Sequence, residues 1–367
     1  MTIEVTWAEA VARRLERHGL GTPFADVAAA ASAVCGVHAQ VMSAAEVSLG
    51  LRVAGATAAD VQSAIGSGEL VKTYGPRGTV HLLTAADLPM WVGALSELPF
   101  HSGFAEGVRL SPEQTDAVVA AIADAVAGHP LTIDELDTEV ARRAGSWAAD
   151  PVMPAFNTLW PRWRQAITTA ANRGAVAFGP NRGRNVTYAA PPAFEPLAAD
   201  AALDALLRAY LHAYGPATPA QFAQWLAAPR AFVEPLFAAM DQVTLAGVPA
   251  WVAPGDTVFA APAPPAVLLL PYFDAYVVGS QPRELLFPGP MFERALGRGQ
   301  AGVFPVVLVD GVVAGIWHSR RAGKRLSITV EGTAPREAVR IEADRIGAIL
   351  GMAPAVTFGP ITVGPHA

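Results

Sequence analysis

Two side chains near the N-terminus offer chemistry: His38 and Gln40, in the run Val37-His38-Ala39-Gln40-Val41-Met42. An imidazole can hold or move a proton near neutral pH, because its unperturbed pKa is about 6.5. A carboxamide can hold a water or a carbonyl by hydrogen bonds but gives up no proton in that range. The run lies between a helix ending near Cys35-Gly36 and a helix that a Ser43-Ala-Ala-Glu46 capping box would start. It is read as a turn, made feasible by Gly36, that aims both groups at one point. The competing reading is that both side chains tie off carbonyls left open at a helix end, since buried polar groups usually satisfy backbone.

The remaining candidates are polar or cationic residues on turns. A first hairpin carries Lys72, Arg77, Thr79 and His81. Alternate residues of a strand share a face, so Arg77, Thr79 and His81 are expected to line up. Arg182 and Arg184 repeat that spacing on a second hairpin, and Arg320, Arg321, Lys324 and Arg325 form a third basic tip between two strands. Such tips touch phosphates or enter a groove; otherwise they are solvated and contact nothing. Trp160, Trp163 and Ile167 recur at helical spacing and read as core rather than as a stacking platform. Asp274, after a buried strand, is expected to pair with Arg283 in a structural role. The chain has no phosphate-binding glycine loop, no HExxH and no G-x-S-x-G serine, so no metal, nucleotide or other cofactor is expected.

Three times, helices end in a strand, a Gly/Pro turn and a second strand. The hairpins span Leu70–Thr84 around Tyr74–Gly78, Ala175–Ala190 around Gly179–Gly183, and Val243–Ala253 around Ala246–Pro249. Helices are expected near 6–18, 24–35, 44–54, 58–66 and 85–97, then near 112–127, 133–143 and 156–173, then near 198–213, 219–227 and 230–241. Ser111, Thr132 and Thr218 head further capping boxes, and Thr57 and Thr84 head weaker ones closed by Asp. Two or three helices followed by a hairpin is the winged-helix plan.

After a Pro-rich linker at Ala261–Pro265 the pattern turns strand-like at Val267–Val278, Phe304–Val309, Val312–Trp317, Arg325–Val330 and Ala355–Phe358. One helix, Arg336–Leu350, interrupts these strands, and Asp310-Gly311 makes a hairpin turn. The expected fold is α+β: three tandem winged-helix units at 1–110, 111–192 and 193–260, then a β-rich, barrel-like domain at 261–367.

The chain has 367 residues, 52% of them hydrophobic and 16% charged, which marks an ordered globular protein rather than a disordered one. A net charge of −6 argues mildly against a nucleic-acid partner, but the charge is segregated. Five arginines and no acid lie between Trp160 and Ala190, while acids gather at Asp134, Glu135, Asp137 and Glu139. A single cysteine, Cys35, leaves no internal disulfide and argues against structural zinc. The first ten residues lack a signal-peptide pattern, and no apolar run approaches the roughly 18–20 residues that span a bilayer. A cytoplasmic, membrane-free monomer is expected.

Four short motifs in this order carry a resemblance: Gly36-Val-His38-Ala-Gln40, Arg77-Gly-Thr-Val-His81-Leu, Leu270-Pro-Tyr-Phe-Asp274-Ala-Tyr276 and Gly315-Ile-Trp317. Over most of its length the chain resembles the AlkZ/YcaQ-like family of bacterial winged-helix DNA glycosylases. The resemblance implies three winged-helix units and a β-barrel arranged around duplex DNA. It implies hydrolysis of the N-glycosidic bond of bulky N7-alkylated purines, including adducts and cross-links made by genotoxic natural products, from which several members protect their hosts. The family's catalytic motif, Gln-x-Gln or Gln-x-Asp, maps onto His38-Ala39-Gln40, with histidine here in place of the first glutamine. Gln40 is then the group that orients water, and His38 a second orienter or a general base. No lysine is marked as a nucleophile, so no covalent lyase step is expected. The partner implied is double-stranded DNA carrying alkylated purines. The alternatives are a non-catalytic winged-helix DNA-binding protein or regulator, and a protein-binding scaffold.

Overall fold

The structure is a computed structural model that describes residues 3–99, 103–155, 158–259 and 266–364. The linker expected at Ala261–Pro265 lies outside the described residues. The chain divides into two compact units, one formed by Met1–Ser67 with Leu207–Ala367 and the other by Gly68–Leu206.

In the first unit, Thr6 caps helix Trp7–Arg17 with a full capping box closed by Glu9, and Asp26 caps helix Val27–Ala33 through a 2.7 Å bond from the Ala29 N–H. The chain leaves that helix through Cys35 and Gly36, both at positive φ (55° and 83°). Two residues of strand follow, Val37–His38, then a bend, then helix Met42–Gly50. The box expected from Ser43 does not form. The helix starts at Met42 behind Val41, so Ser43 lies inside the first turn, and the Glu46 carboxylate accepts from Gln62 Nε2 instead, at 2.6 Å. Thr57 and Asp60 do form a box at helix Ala58–Gly66.

The C-terminal part is a half-barrel sheet of five strands in the order Val267–Leu270, Val306–Val309, Val312–Ala322, Arg325–Gly332, Ala353–Phe358. Neighbours are antiparallel except the last pair, which is parallel and connected by helix Arg336–Leu350. The strand expected to run to Val278 stops at Leu270. Pro271 has no N–H to give the ladder, and Asp274 turns the chain by capping a short helix, Ala275–Gly279. The strand expected to end at Trp317 continues to Ala322. The sheet shares one core with Val11 and Leu15 of the first helix and with Val47 and Leu51. Gly50 makes this packing possible: a Cβ there would meet Ile349 of the long C-terminal helix at 2.7 Å.

The third hairpin forms as expected, Asp241–Leu245 against Val248–Val252, with Ala246 and Gly247 both at positive φ. It gains a third strand that sequence reading did not foresee, since Glu4–Val5 pairs parallel with Thr244 and Leu245. The helix expected near 230–241 is broken. It runs only Arg230–Val233 and passes into a 3-10 turn at Glu234–Ala239, where Pro235 interrupts the hydrogen-bond ladder.

In the second unit the first hairpin pairs Leu70–Tyr74 with Val80–Thr84 in the expected register. Helix Pro112–Val126, strand Leu131–Thr132 and helix Ile133–Ala144 follow, two of them capped by the boxes at Ser111 and Thr132. The helix expected near 156–173 is a shorter one, Ile167–Asn172, preceded by a 3-10 turn and by a two-stranded hairpin, Pro151–Ala155 against Thr158–Pro161. Pro161, inside the expected span, has no N–H to give a helical ladder and interrupts it. Trp163 is fully buried and donates to Asp137, whereas Trp160 lies on the hairpin strand. The second hairpin, Ala177–Arg182 against Asn185–Ala189, turns at Gly183-Arg184, later than expected, because a bulge absorbs Pro180-Asn181. Its strand Asn185–Ala189 also pairs with Leu131–Thr132.

Candidate active site

The segment carrying His38 and Gln40 is extended at Val37–His38 and bends at Gln40-Val41. The carbonyls before it have other partners: Gly36 N–H bonds Ala31 O at 2.9 Å, Cys35 N–H bonds Ser32 O at 3.0 Å, and the Tyr214 hydroxyl donates to Val34 O at 2.7 Å. His38 is interior, with 7% of its surface exposed, and its ring stacks on Phe273 with centroids 4.4 Å apart and planes 25° apart. Gln40 is exposed, and Ala39 between them is fully buried. The pair thus comprises an exposed Gln40 and a buried imidazole stacked on an aromatic ring.

The helix that follows is locked to the loop bearing Phe273. Arg52 Nη1 and Nη2 each donate to a different Asp274 oxygen at 2.8 Å, Ser48 Oγ donates to Asp274 at 2.7 Å, and Arg52 also donates to Ser48 O at 2.8 Å. Both side chains of the ion pair are completely buried. Burial alone would raise the Asp274 carboxyl; the charge and hydrogen bonds of Arg52, with Ser48 and His18, outweigh it and hold the group below its ordinary range. The partner expected for Asp274, Arg283, instead donates to the carbonyls of Val277, Val278 and Ser280. Sequence reading missed Arg52 because a buried ion pair separated by 222 residues leaves no local signal.

The first hairpin does not present Arg77, Thr79 and His81 on one face. Arg77 lies in a 3-10 turn at φ 61°, the Thr79 hydroxyl donates to Pro76 O at 3.0 Å, and His81 is 4% exposed with Nδ1 2.8 Å from Thr79 O. The turn breaks the two-residue alternation that strand spacing assumes. Lys72 is half-buried with Nζ 5.3 Å from the Phe178 ring centroid, and burial lowers its pKa.

The basic run of the second unit is largely neutralised by the acids it avoids in sequence. Arg164 pairs with Asp137, Arg173 with Asp116 and Arg182 with Glu135, and Arg162 lies 3.6 Å from Asp150. Arg184, exposed in its turn, has no ion pair among the described residues. The third basic tip behaves differently. Arg320, Arg321, Lys324 and Arg325 are all exposed on a hairpin closed by Gly323-Lys324, with Ala322 opposite Arg325. None of the four has a carboxylate partner among the described residues. No cluster of three or more metal-ligating side chains occurs among the described residues, and no helix there is long and apolar enough to cross a membrane.

Comparison with known proteins defines the class. A sequence profile described as DNA glycosylase AlkZ-like matches residues 31–349, and the chain belongs to that family. It is a DNA N-glycosylase of the DNA-repair type. A Streptomyces sahachiroi protein named interstrand DNA cross-link repair glycosylase is 28% identical over 338 residues, which cover 86% of this chain and 88% of that protein. The solved structure of Streptomyces sahachiroi DNA glycosylase AlkZ matches with a TM-score of 0.81 at 25% identity, covering 97% of this chain and 100% of that one.

Proposed function

We propose that this glycosylase hydrolyses the N-glycosidic bond of bulky N7-alkylated purines in duplex DNA, including purines tied into interstrand cross-links. The cross-link part rests on the printed function of the Streptomyces sahachiroi relative. The observation that carries the chemistry is Gln40, exposed at a bend whose following helix is anchored through Arg52 and Asp274.

An N7-alkylated guanine is already cationic and leaves readily, so bond breaking needs little acid catalysis. The sugar then passes through an oxocarbenium-like state, as in other glycoside hydrolysis. What remains is to hold a water at C1′ and to stabilise developing positive charge. The Gln40 carboxamide orients that water by accepting from it. His38, with 7% of its surface exposed, serves better as an orienter behind Gln40 than as a base in contact with bulk water. No lysine has a place in this scheme, so the reaction is monofunctional, with no covalent intermediate.

The three helix-and-hairpin segments act in this reading as tandem winged-helix units at 1–110, 111–192 and 193–260, with the half-barrel at 261–367, in a cytoplasmic monomer. Supporting it are the second segment's helix, strand, helix, a short two-stranded hairpin, helix and final hairpin, and the helix Pro219–Leu226, capped by Thr218, ahead of the third hairpin. Arg184, Arg320, Arg321, Lys324 and Arg325 are its DNA contacts. Arg182 is held by Glu135, and Lys72, Arg77, Thr79 and His81 contribute chiefly by shaping their hairpin.

The test is base-release chromatography on duplexes bearing N7-alkylguanine adducts and cross-links. Free alkylated base and abasic sites are expected, with no borohydride-trapped protein–DNA adduct. Gln40→Ala should lower single-turnover release by about 10²–10³-fold with duplex affinity unchanged, the range typical of losing one preorganised hydrogen-bonding group. Full activity in Gln40→Ala removes the proposed site.

A further inference from the structure

Phe273 combines two observations. Its backbone has a φ of 53°, a conformation that bulky residues adopt only under constraint. Its ring is partly buried and lies nearly parallel to the buried His38 imidazole, 4.4 Å away. The constraint has a visible source on both sides. Phe273 N–H donates to Gly302 O at 2.9 Å. The next residue, Asp274, is fixed by Arg52 and Ser48 and accepts from Tyr276 N–H at 3.0 Å. Backbone strain held in place from both sides is characteristic of sites where a side chain must be delivered to one position.

We propose that Phe273 is a positioning residue for the reaction, holding the His38 imidazole in the orientation from which it supports Gln40. This rests on the reading of His38 and Gln40 as the active site. The strained bend turns the Phe273 ring back over residue 38. The buried network supplies the constraint, and Phe273 passes it to the imidazole by face-to-face contact. A ring placed flat on an imidazole fixes its plane without using either ring nitrogen. It also covers the solvent side of a group that is 7% exposed. The hydrogen bonds of Asp274 thus reach the site through its neighbour, which explains why a completely buried ion pair lies one residue from the ring on His38.

The experiment is a double-mutant cycle on the full chain, read by single-turnover release of alkylated base and, separately, by affinity for undamaged duplex. Phe273→Leu keeps an apolar side chain but no flat face. It is expected to release base about tenfold more slowly with duplex affinity within about twofold, since small misplacements near a reacting centre are costly in rate. Phe273→Tyr keeps the face and should return the rate to within about threefold of the parent. Phe273→Asn, which accepts positive φ readily, guards against a misfolded leucine variant and should lose rate to the same extent. In a His38→Ala background the leucine and asparagine substitutions should cause no further loss, because the group they position is gone. A parent-like rate in Phe273→Leu and Phe273→Asn overturns the proposal, as does an undiminished loss in the His38→Ala background. If His38→Ala itself releases base at the parent rate, the role of His38 falls and this proposal falls with it. If His38→Ala is slow while Phe273→Leu is parent-like, only the positioning role is lost.

Discussion

Arg52 and Asp274 meet as a fork, two 2.8 Å hydrogen bonds between side chains that expose none of their surface. The pair joins the helix after the His38–Gln40 segment to the loop that carries Phe273, so folding and the site depend on the same contact.

Removing one partner strands a buried charge. Arg52→Ala or Asp274→Ala should each lose about 3–5 kcal/mol of unfolding free energy, measured by urea titration at pH 7. The double replacement Arg52→Met with Asp274→Leu should recover much of that loss. Because the folded Asp274 carboxyl is held below its ordinary value of 3.8, its contribution is present above about pH 3.8 and lost as pH falls further. A double variant no more stable than the singles would show that the network does more than pair two charges.

His18 should make stability sensitive to mild acid. It is fully buried, with Nε2 3.1 Å from Ala213 O and ring edges against Tyr214 and Tyr276. Burial, aided by the charge of Arg52, pulls its pKa from 6.5 down to about 3. The unfolded chain therefore takes up a proton below about pH 6.5 that the folded chain refuses until about pH 3. Stability from this group is complete above that window and declines through it as pH falls, with a slope of up to about 1.4 kcal/mol per pH unit. Urea midpoints between pH 7 and 4 should fall less steeply in His18→Gln than in the parent. Equal slopes would mean that His18 is not the residue responsible.

Arg182 and Arg184 should behave differently on DNA although they are two residues apart. The Arg182 guanidinium is engaged by both Glu135 oxygens at 2.7–2.8 Å and by Pro130 O at 3.1 Å. Its hydrogen bonds are the main cause that brings the Glu135 carboxyl down to about 2. Arg184→Ala should reduce the slope of log affinity against log salt by about one. Arg182→Ala should change that slope less, and Glu135→Gln, which frees Arg182, should tighten binding to undamaged duplex. Fluorescence anisotropy across a salt series makes the measurement. Equal effects of Arg182→Ala and Arg184→Ala would show that Glu135 yields to phosphate.

Replacing Arg320, Arg321, Lys324 and Arg325 together with glutamine should leave thermal unfolding unchanged, since all four are exposed without carboxylate partners among the described residues. Affinity should fall uniformly across duplex sequences, and the salt slope should shrink by about three to four. An unchanged slope would remove this hairpin from the DNA-binding surface.

Local chemistry in the sequence was enough to locate the boxes at Ser111, Thr132 and Thr218, the Asp310-Gly311 and Ala246-Gly247 turns, the helix Arg336–Leu350 and the three hairpins. Each of these depends on residues within a few positions of one another. The same holds for the His38-Ala39-Gln40 motif and for the family it resembles. Residues 158–161 form a strand where helical spacing of Trp160, Trp163 and Ile167 predicts a helix, because Pro161 cannot give an N–H to a helical ladder. The charge pattern misled for a different reason. Five arginines without a nearby acid describe chain order, whereas a guanidinium pairs with whatever carboxylate folding brings within about 4 Å. Only tertiary structure could match Arg164 to Asp137 and Arg182 to Glu135, leaving Arg184 and the 320–325 tip without a carboxylate among the described residues. It also decided that His38 turns inward beneath Phe273 while Gln40 stays in solvent, because burial and stacking depend on a loop more than 230 residues away and on the Arg52–Asp274 pair that holds it.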